Sequence, residues 1–280
     1  MFYYQLRNEL WKMFGKKRTY IGFAMCLLAE AVIILLFRFT HGPRREMVHR
    51  LELMGYDSNQ FITGLTMATA VMVPVAFVLL PLYVALVGGD LMAKEAEDGT
   101  LRMILSRPIS RLRLVGVKWV AGAIFAVLLV VLFGAFGVLF ASCFFPAGGL
   151  FALLPMAGIF SVFDGSAGVA HYALAIVVLC SKAITIMGLA WMFSCCNVKP
   201  AAATILAISL VLICRIIQDI PYFHDWQRWF LTYHLDSWMS MFAQPAPAAE
   251  VWQSMSVLAG FNATFFIIGA SIFQVRDIKS

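Results

Sequence analysis

The chain opens on a helical repeat and then changes to long apolar runs. Tyr3, Leu6, Leu10, Met13 and Phe14 recur at helical spacing, and Gln5, Asn8, Glu9, Lys12 and Lys16 fill the other side. This pattern predicts an amphipathic helix over residues 1–19, lying in a membrane interface with the cluster Lys16-Lys17-Arg18 near anionic headgroups. Six apolar runs follow, at about 20–39, 63–87, 119–143, 169–193, 201–217 and 251–273. Each approaches the roughly 20 residues that carry a helix across the hydrocarbon core. Only helices or closed barrels satisfy the backbone in lipid, and these runs do not alternate as barrel strands do. The predicted fold is an all-α integral membrane protein, residues 1–280 forming one transmembrane domain of six helices.

The connections differ in kind. Residues 40–62 are polar with balanced charge. Residues 144–168 are apolar and rich in Gly and Phe, too broken for a span. Residues 218–250 carry Tyr222, Phe223, Trp226, Trp229, Phe230, Tyr233 and Trp238. That aromatic density predicts short helices or a hairpin dipping into an interface, with Trp226, Trp229 and Phe230 as candidate gate residues. None of these three is long enough to bury a core of its own, which excludes a soluble binding domain. Between the second and third runs lies the charged stretch Lys94-Glu95-Ala96-Glu97-Asp98-Gly99-Thr100-Leu101. Leu101, Ile104 and Leu105 then fall on one side of a helix, and Pro108 breaks it. An apolar stripe framed by charge predicts a docking helix within residues 94–113.

Composition agrees with the pattern. The chain is 62% hydrophobic with a mean hydropathy of +0.86, and 13% of residues are charged, against roughly 25% in soluble domains. Of the 21 basic residues, 14 fall on the side of the two termini and six on the other, Lys182 being set apart. The bias places both termini in the cytoplasm, and the chain in the plasma (inner) membrane as a multi-pass protein. The first apolar run lacks a small-residue cleavage site, so no cleavable signal peptide is expected.

Candidate chemistry is sparse. Lys182 lies near the middle of the fourth run; it either faces a polar pathway or snorkels from a span that begins later. Arg215 and Asp219, four apart, suit a local ion pair. Pro74 and Pro81 would bend the second span. The six cysteines and five histidines show no metal-ligand or disulfide spacing, so no metal site is expected. No G-x-x-x-x-G-K-[ST] loop occurs, and no nucleophile-elbow context, so the chain is not read as an enzyme. Membrane lipid is an expected partner; nucleic acid is not.

Glu95-x-x-x-Gly99-Thr100-Leu101, with Leu105, Pro108, Ser110-Arg111, Gly116 and Lys118, resembles the cytoplasmic signature of type-2 ATP-binding-cassette exporter permeases. The N-terminal helix resembles that family's elbow helix, through Leu6, Leu10, Lys12, Lys16, Lys17 and Arg18. The ending Phe273-Gln274-Val275-Arg276-Asp277-Ile278 resembles its common C-terminus. The layout is similar to small bacterial permeases, among them the branch tied to nitrous-oxide-reductase maturation. The resemblance implies a subunit that performs no chemistry and binds no cofactor. It would pair with a second permease copy, as a homodimer or related heterodimer, and with two copies of a cytoplasmic P-loop ATPase that holds ATP and Mg. It implies further that Glu95, Glu97, Gly99, Thr100, Leu101, Arg107, Pro108 and Arg111 form the surface that receives the ATPase stroke. The alternative is a membrane anchor or mechanotransmitting scaffold for an ATPase complex that moves no solute.

Overall fold

The computed structural model describes residues 2–53, 55, 58–105 and 110–276. In chain order its helices are α1 (Phe2–Phe14), α2 (Lys17–Phe39), α3 (His41–Leu53), α4 (Ser58–Phe61), α5 (Gly64–Pro74), α6 (Leu80–Glu97), α7 (Thr100–Leu105), α8 (Arg111–Ser142), α9 (Gly165–Cys195), α10 (Pro200–Gln218), α11 (Leu231–Leu235) and α12 (Ala248–Val275). A hairpin of β1 (Leu150–Leu154) and β2 (Ile159–Phe163) pairs antiparallel, Leu150 opposite Phe163. Six stretches are long and apolar enough to cross a membrane: Thr19–Phe39, Gly64–Glu97, Arg111–Ser142, Gly165–Cys195, Pro200–Gln218 and Ala248–Val275. The molecule is an all-α membrane protein with one short hairpin added.

Several helices outrun their apolar stretches. Gly64–Glu97 is 34 residues long, about 50 Å at the α-helical rise, where the hydrocarbon core is about 30 Å. The helix of the third span starts at Arg111, eight residues before the apolar run from about Trp119, and Ser110 caps it, its Oγ accepting from Arg113 N at 3.4 Å. Residues 98–110 therefore connect the two long helices, and the docking segment 94–113 is mostly this connection, α7 included, flanked by the last residues of α6 and the first of α8.

The prolines of the second span flank a single irregular turn. Pro74 ends α5, and a π-turn, Val75–Leu79, follows, closed by Leu80 N donating to Val75 O. Pro81 follows at the second residue of α6, where the helix continues directly from the π-turn and the ring offers no N–H to the preceding turn. Phe77 lies within the π-turn, and its ring reaches the two cations described below.

The broken apolar stretch at residues 144–168 is where β1 and β2 form. Thr63 and Thr66 fix it to the start of α5: Thr63 Oγ1 donates to Gly149 O at 2.7 Å, and Phe151 N donates to Thr66 Oγ1 at 2.9 Å. The aromatic segment after α10 forms a 3-10 stretch (Pro221–Trp229), α11 and a second 3-10 stretch (Ser237–Phe242). Its second half turns inward. Trp238 and Phe242 are fully buried, His171 Nδ1 meets Met241 O at 2.6 Å, and Gln244 Nε2 donates to Val162 O at 2.7 Å.

The core runs along α9, the most buried of the six spans, which packs on α6, α8, α10 and α12. A Cβ at Gly88 would come within 2.4 Å of Met187 O, so α6 and α9 touch backbone to backbone there. At the opposite extreme α10 buries only Ala203 and Ala207, and exposes Ile205, Leu206, Leu212, Ile213 and Ile216. Such a face is stable against lipid or another apolar helix, not against water.

Candidate functional site

At the end of the bundle that carries the described termini, four charges from three helices close into a ring. Lys118 on α8 lies 3.0 Å from Glu9 Oε2 on α1 and 2.8 Å from Glu95 Oε2 on α6. Lys12 on α1 lies 3.1 Å from Glu9 Oε1 and 3.3 Å from Glu95 Oε1. Each carboxylate thus bridges two ammoniums. Lys118 is 1% exposed and Glu9 9% exposed. Burial alone would push the Glu9 carboxyl up, but the Lys118 and Lys12 ammoniums hold it below the usual carboxylate value. For Lys12 burial acts downward, and Glu95 and Glu9 more than reverse it, so the ammonium is raised.

Beneath the ring an aromatic cluster joins the same helices. Phe125 of α8 lies 6.0 Å from Phe14, 5.3 Å from Phe23 and 5.7 Å from Tyr83 between ring centroids. Tyr83 Oη donates to Thr19 O at 2.6 Å, tying the start of α2 to α6. The helix read from the sequence as having Glu9 on its polar side and Tyr3 on its apolar side is therefore rotated. Glu9 and Met13 face inward, with Leu6 and Leu10 partly buried, while Tyr3 is 68% exposed. The buried charge on Lys118 is the physical reason: it requires a partner, and α1 supplies one.

The ring leads directly to the docking segment. Gly99 has φ +72, the left-handed conformation that ends α6 without a Cβ penalty, and its N–H bonds Ala96 O at 3.3 Å. Thr100 Oγ1 donates to Glu95 O at 3.3 Å, so α7 hangs from the residue that closes the ring. Leu101 is 2% exposed and Glu97 is exposed. Arg107 and Pro108 lie outside the described residues, as do Asp277 and Ile278. Lys16 and Lys17 are exposed; the side chain of Arg18 is not among those described. Arg111 Nη1 donates to Gln274 O at 2.9 Å and Arg276 O at 3.0 Å, a cation on the C-terminal end of α12, and Arg276 bonds Asn197 Oδ1.

A second polar knot lies inside the bundle. Lys182 falls in the middle of α9 and is 4% exposed. Its Nζ lies 2.9 Å from Asp236 Oδ1, and Arg215 Nη1 bonds Asp236 Oδ2. Arg215 also keeps the local pair read from the sequence, at 3.6 Å from Asp219 Oδ2. The Phe77 ring presents its face to both cations, 4.5 Å from Lys182 Nζ and 5.7 Å from Arg215 Cζ. An opening of about 310 Å³, lined by Arg215, Tyr233, Asp236, Glu250 and Ser254, adjoins the knot. His234 beside it meets Ser254 Oγ at 3.1 Å and Arg228 O at 2.9 Å, and burial pushes its imidazole below the ordinary value. The candidate gate aromatics stand further out: Trp226 is 60% and Trp229 80% exposed, and Phe230 stacks edge-on against Phe223 at 6.2 Å.

Sequence reasoning missed Asp236 and the inward faces of Glu9 and Lys118. The signal for Asp236 was Lys182 itself, a mid-span cation that demands a counter-ion. Among the described residues no group of acidic, histidine and cysteine side chains could hold a metal ion.

Residues 5–217 match the family described as ABC-2 family transporter protein. No curated protein matches the chain.

Proposed function

The chain belongs to the ABC-2 transporter family, a membrane-spanning component of an ABC transporter, and we propose that it is the permease of an exporter driven by a separate cytoplasmic ATPase. Both termini face the cytoplasm in this reading, as the 14-to-six distribution of basic residues favours. The permease pairs with a second copy, and two ATPase copies dock on α7, the projecting ends of α6 and α8, and the exposed face of α1. ATP and Mg stay on the ATPase.

The ring of Glu9, Lys12, Glu95 and Lys118 is the observation that supports coupling. A push on α7 acts on Glu95 within one turn. Glu95 shares its oxygens with α1 and α8, so the load divides between the interfacial helix and the third span at once. At the other end the Lys182–Asp236–Arg215 knot holds the inward half of the aromatic segment against α9 and α10. In this reading the exit opens when that knot breaks or moves as a unit, and the gate is deeper than Trp226, Trp229 and Phe230. Those exposed rings suit anchoring in the outer interface.

The test is purification of the tagged chain from its native membrane with identification of what stays bound. A stoichiometric P-loop ATPase whose turnover responds to Glu95→Gln supports the reading. An intact preparation without any ATPase overturns it.

A further inference from the structure

Glu30 is the one acid of α2, and the coupling and gating machinery does not use it. It sits well inside the first span, 0% exposed, and neither carboxyl oxygen has a hydrogen-bond partner. Its space is made by Gly137 of α8: a Cβ there would lie 2.1 Å from Glu30 Oε1. Among the described residues two titratable side chains interact with it, Cys26 one turn earlier on α2 and Tyr172 on α9. The Tyr172 hydroxyl is already committed, donating to Gly134 O at 3.0 Å. On α8 the group meets Gly137; α5 and the π-turn Val75–Leu79, which also pack on α2, contain no titratable residue, and α3, packed on α2 as well, carries His49, Arg50 and Glu52. No described cation pairs with Glu30, Lys118 and Lys182 being held by other carboxylates.

An ionised carboxylate without a partner costs several kcal/mol or more in such a setting, so in this conformation the group holds its proton. A neutral acid kept for structure would donate a hydrogen bond; this one donates none, and leaving a buried polar group unmade itself costs about 1–3 kcal/mol. An apolar residue would serve the packing better. Ionisable groups at this depth mark proton or ion pathways.

We propose that Glu30 is a proton-binding site within the membrane, occupied while α2 and α8 are closed at Gly137 and emptied when that seam opens to water. The seam and the proton are then linked: raising pH favours the open arrangement and lowering it favours the closed one.

The experiment uses the full chain in membranes, in two arms. The first does not depend on the transport reading. It combines dicyclohexylcarbodiimide labelling, read by peptide mass, with infrared spectroscopy of the same samples. A protonated carboxyl adds across one C=N bond, proton to nitrogen and oxygen to carbon, and rearranges to a stable N-acylurea with no leaving group. Glu30 should gain the mass of one reagent near neutral pH, more slowly as pH rises. The carbonyl stretch of a protonated acid should be present in the parent chain and E30D and missing in E30Q. Lack of such a band assignable to Glu30 near neutral pH overturns the proposal. The second arm rests on the transport reading and measures the pH profile of the ATPase-bound complex. E30Q, isosteric and permanently neutral, should flatten the profile severalfold, and E30D should restore it. A profile identical in E30Q and the parent makes the acid structural only, and also overturns the proposal.

Discussion

Glu95, in the final turn of α6, and Lys118, eight residues into α8, are held 2.8 Å apart at the mouth of the connection that joins their helices. Their pairing ties the two longest apolar helices together at that end. Glu9 and Lys12 extend the pairing to α1.

Removing one member should cost more than removing the set. Lys118→Met leaves two buried carboxylates facing one half-exposed ammonium, and a loss of about 3 kcal/mol is expected. Adding Glu9→Gln and Glu95→Gln should recover most of it. Thermal unfolding in detergent reads the stabilities; a triple variant no more stable than the single would show that the ring is not the cause.

At the inner knot, Asp236→Asn should strip Lys182 and Arg215 of their shared carboxylate and free the segment around Trp238. A loss of about 3 kcal/mol is expected, with partial recovery in Asp236→Asn combined with Lys182→Met. Protease cleavage within residues 231–242 should speed up in the single variant and slow again in the double.

Gly99→Ala places a side chain at φ +72, at a cost of about 1 kcal/mol, and Gly99→Asn should cost less. Overall melting should barely change. ATP turnover should become less dependent on transport, and equal coupling in the Ala variant and the parent would remove α7 from the mechanism.

Two groups set the acid side of the stability profile. His234 is lowered from its ordinary 6.5, so the unfolded chain takes up its proton first. Stability is full above 6.5 and declines as pH falls toward the folded value. Glu9 is lowered from 4.5; its contribution is present above 4.5 and lost as pH falls through the depressed value. Melting followed by tryptophan fluorescence should show both steps, His234→Asn abolishing the upper and Glu9→Gln the lower.

The six spans were legible because lipid imposes length and continuous apolarity, and both leave a mark on the sequence. Their ends were not, since Lys118 and Arg111 read as boundary charges until a partner absorbs them. Glu9 looked like a polar-face residue because amphipathic reading treats every charge as solvated, and a long-range pair cancels that. Lys182 was visible as an anomaly but its resolution was not, because Asp236 lies 54 residues away in sequence. Glu30 escaped notice for the opposite reason: one acid in a strongly apolar run barely lowers the average. The hairpin at residues 150–163 hid in a stretch whose glycines interrupt both periodicities.

The pairing of Lys182 with Asp236 also sets an order on synthesis. Glu9, Glu95 and Lys118 are all present once the third span has left the ribosome, so the first ring can close while the rest is still being made. Lys182 is inserted without its counter-ion and must wait until residue 236 emerges. Arg111 waits longer still, for backbone acceptors at Gln274 and Arg276. A chain cut short after α10 would leave a lysine stranded in the bilayer, a mark that quality-control proteases of the membrane can read.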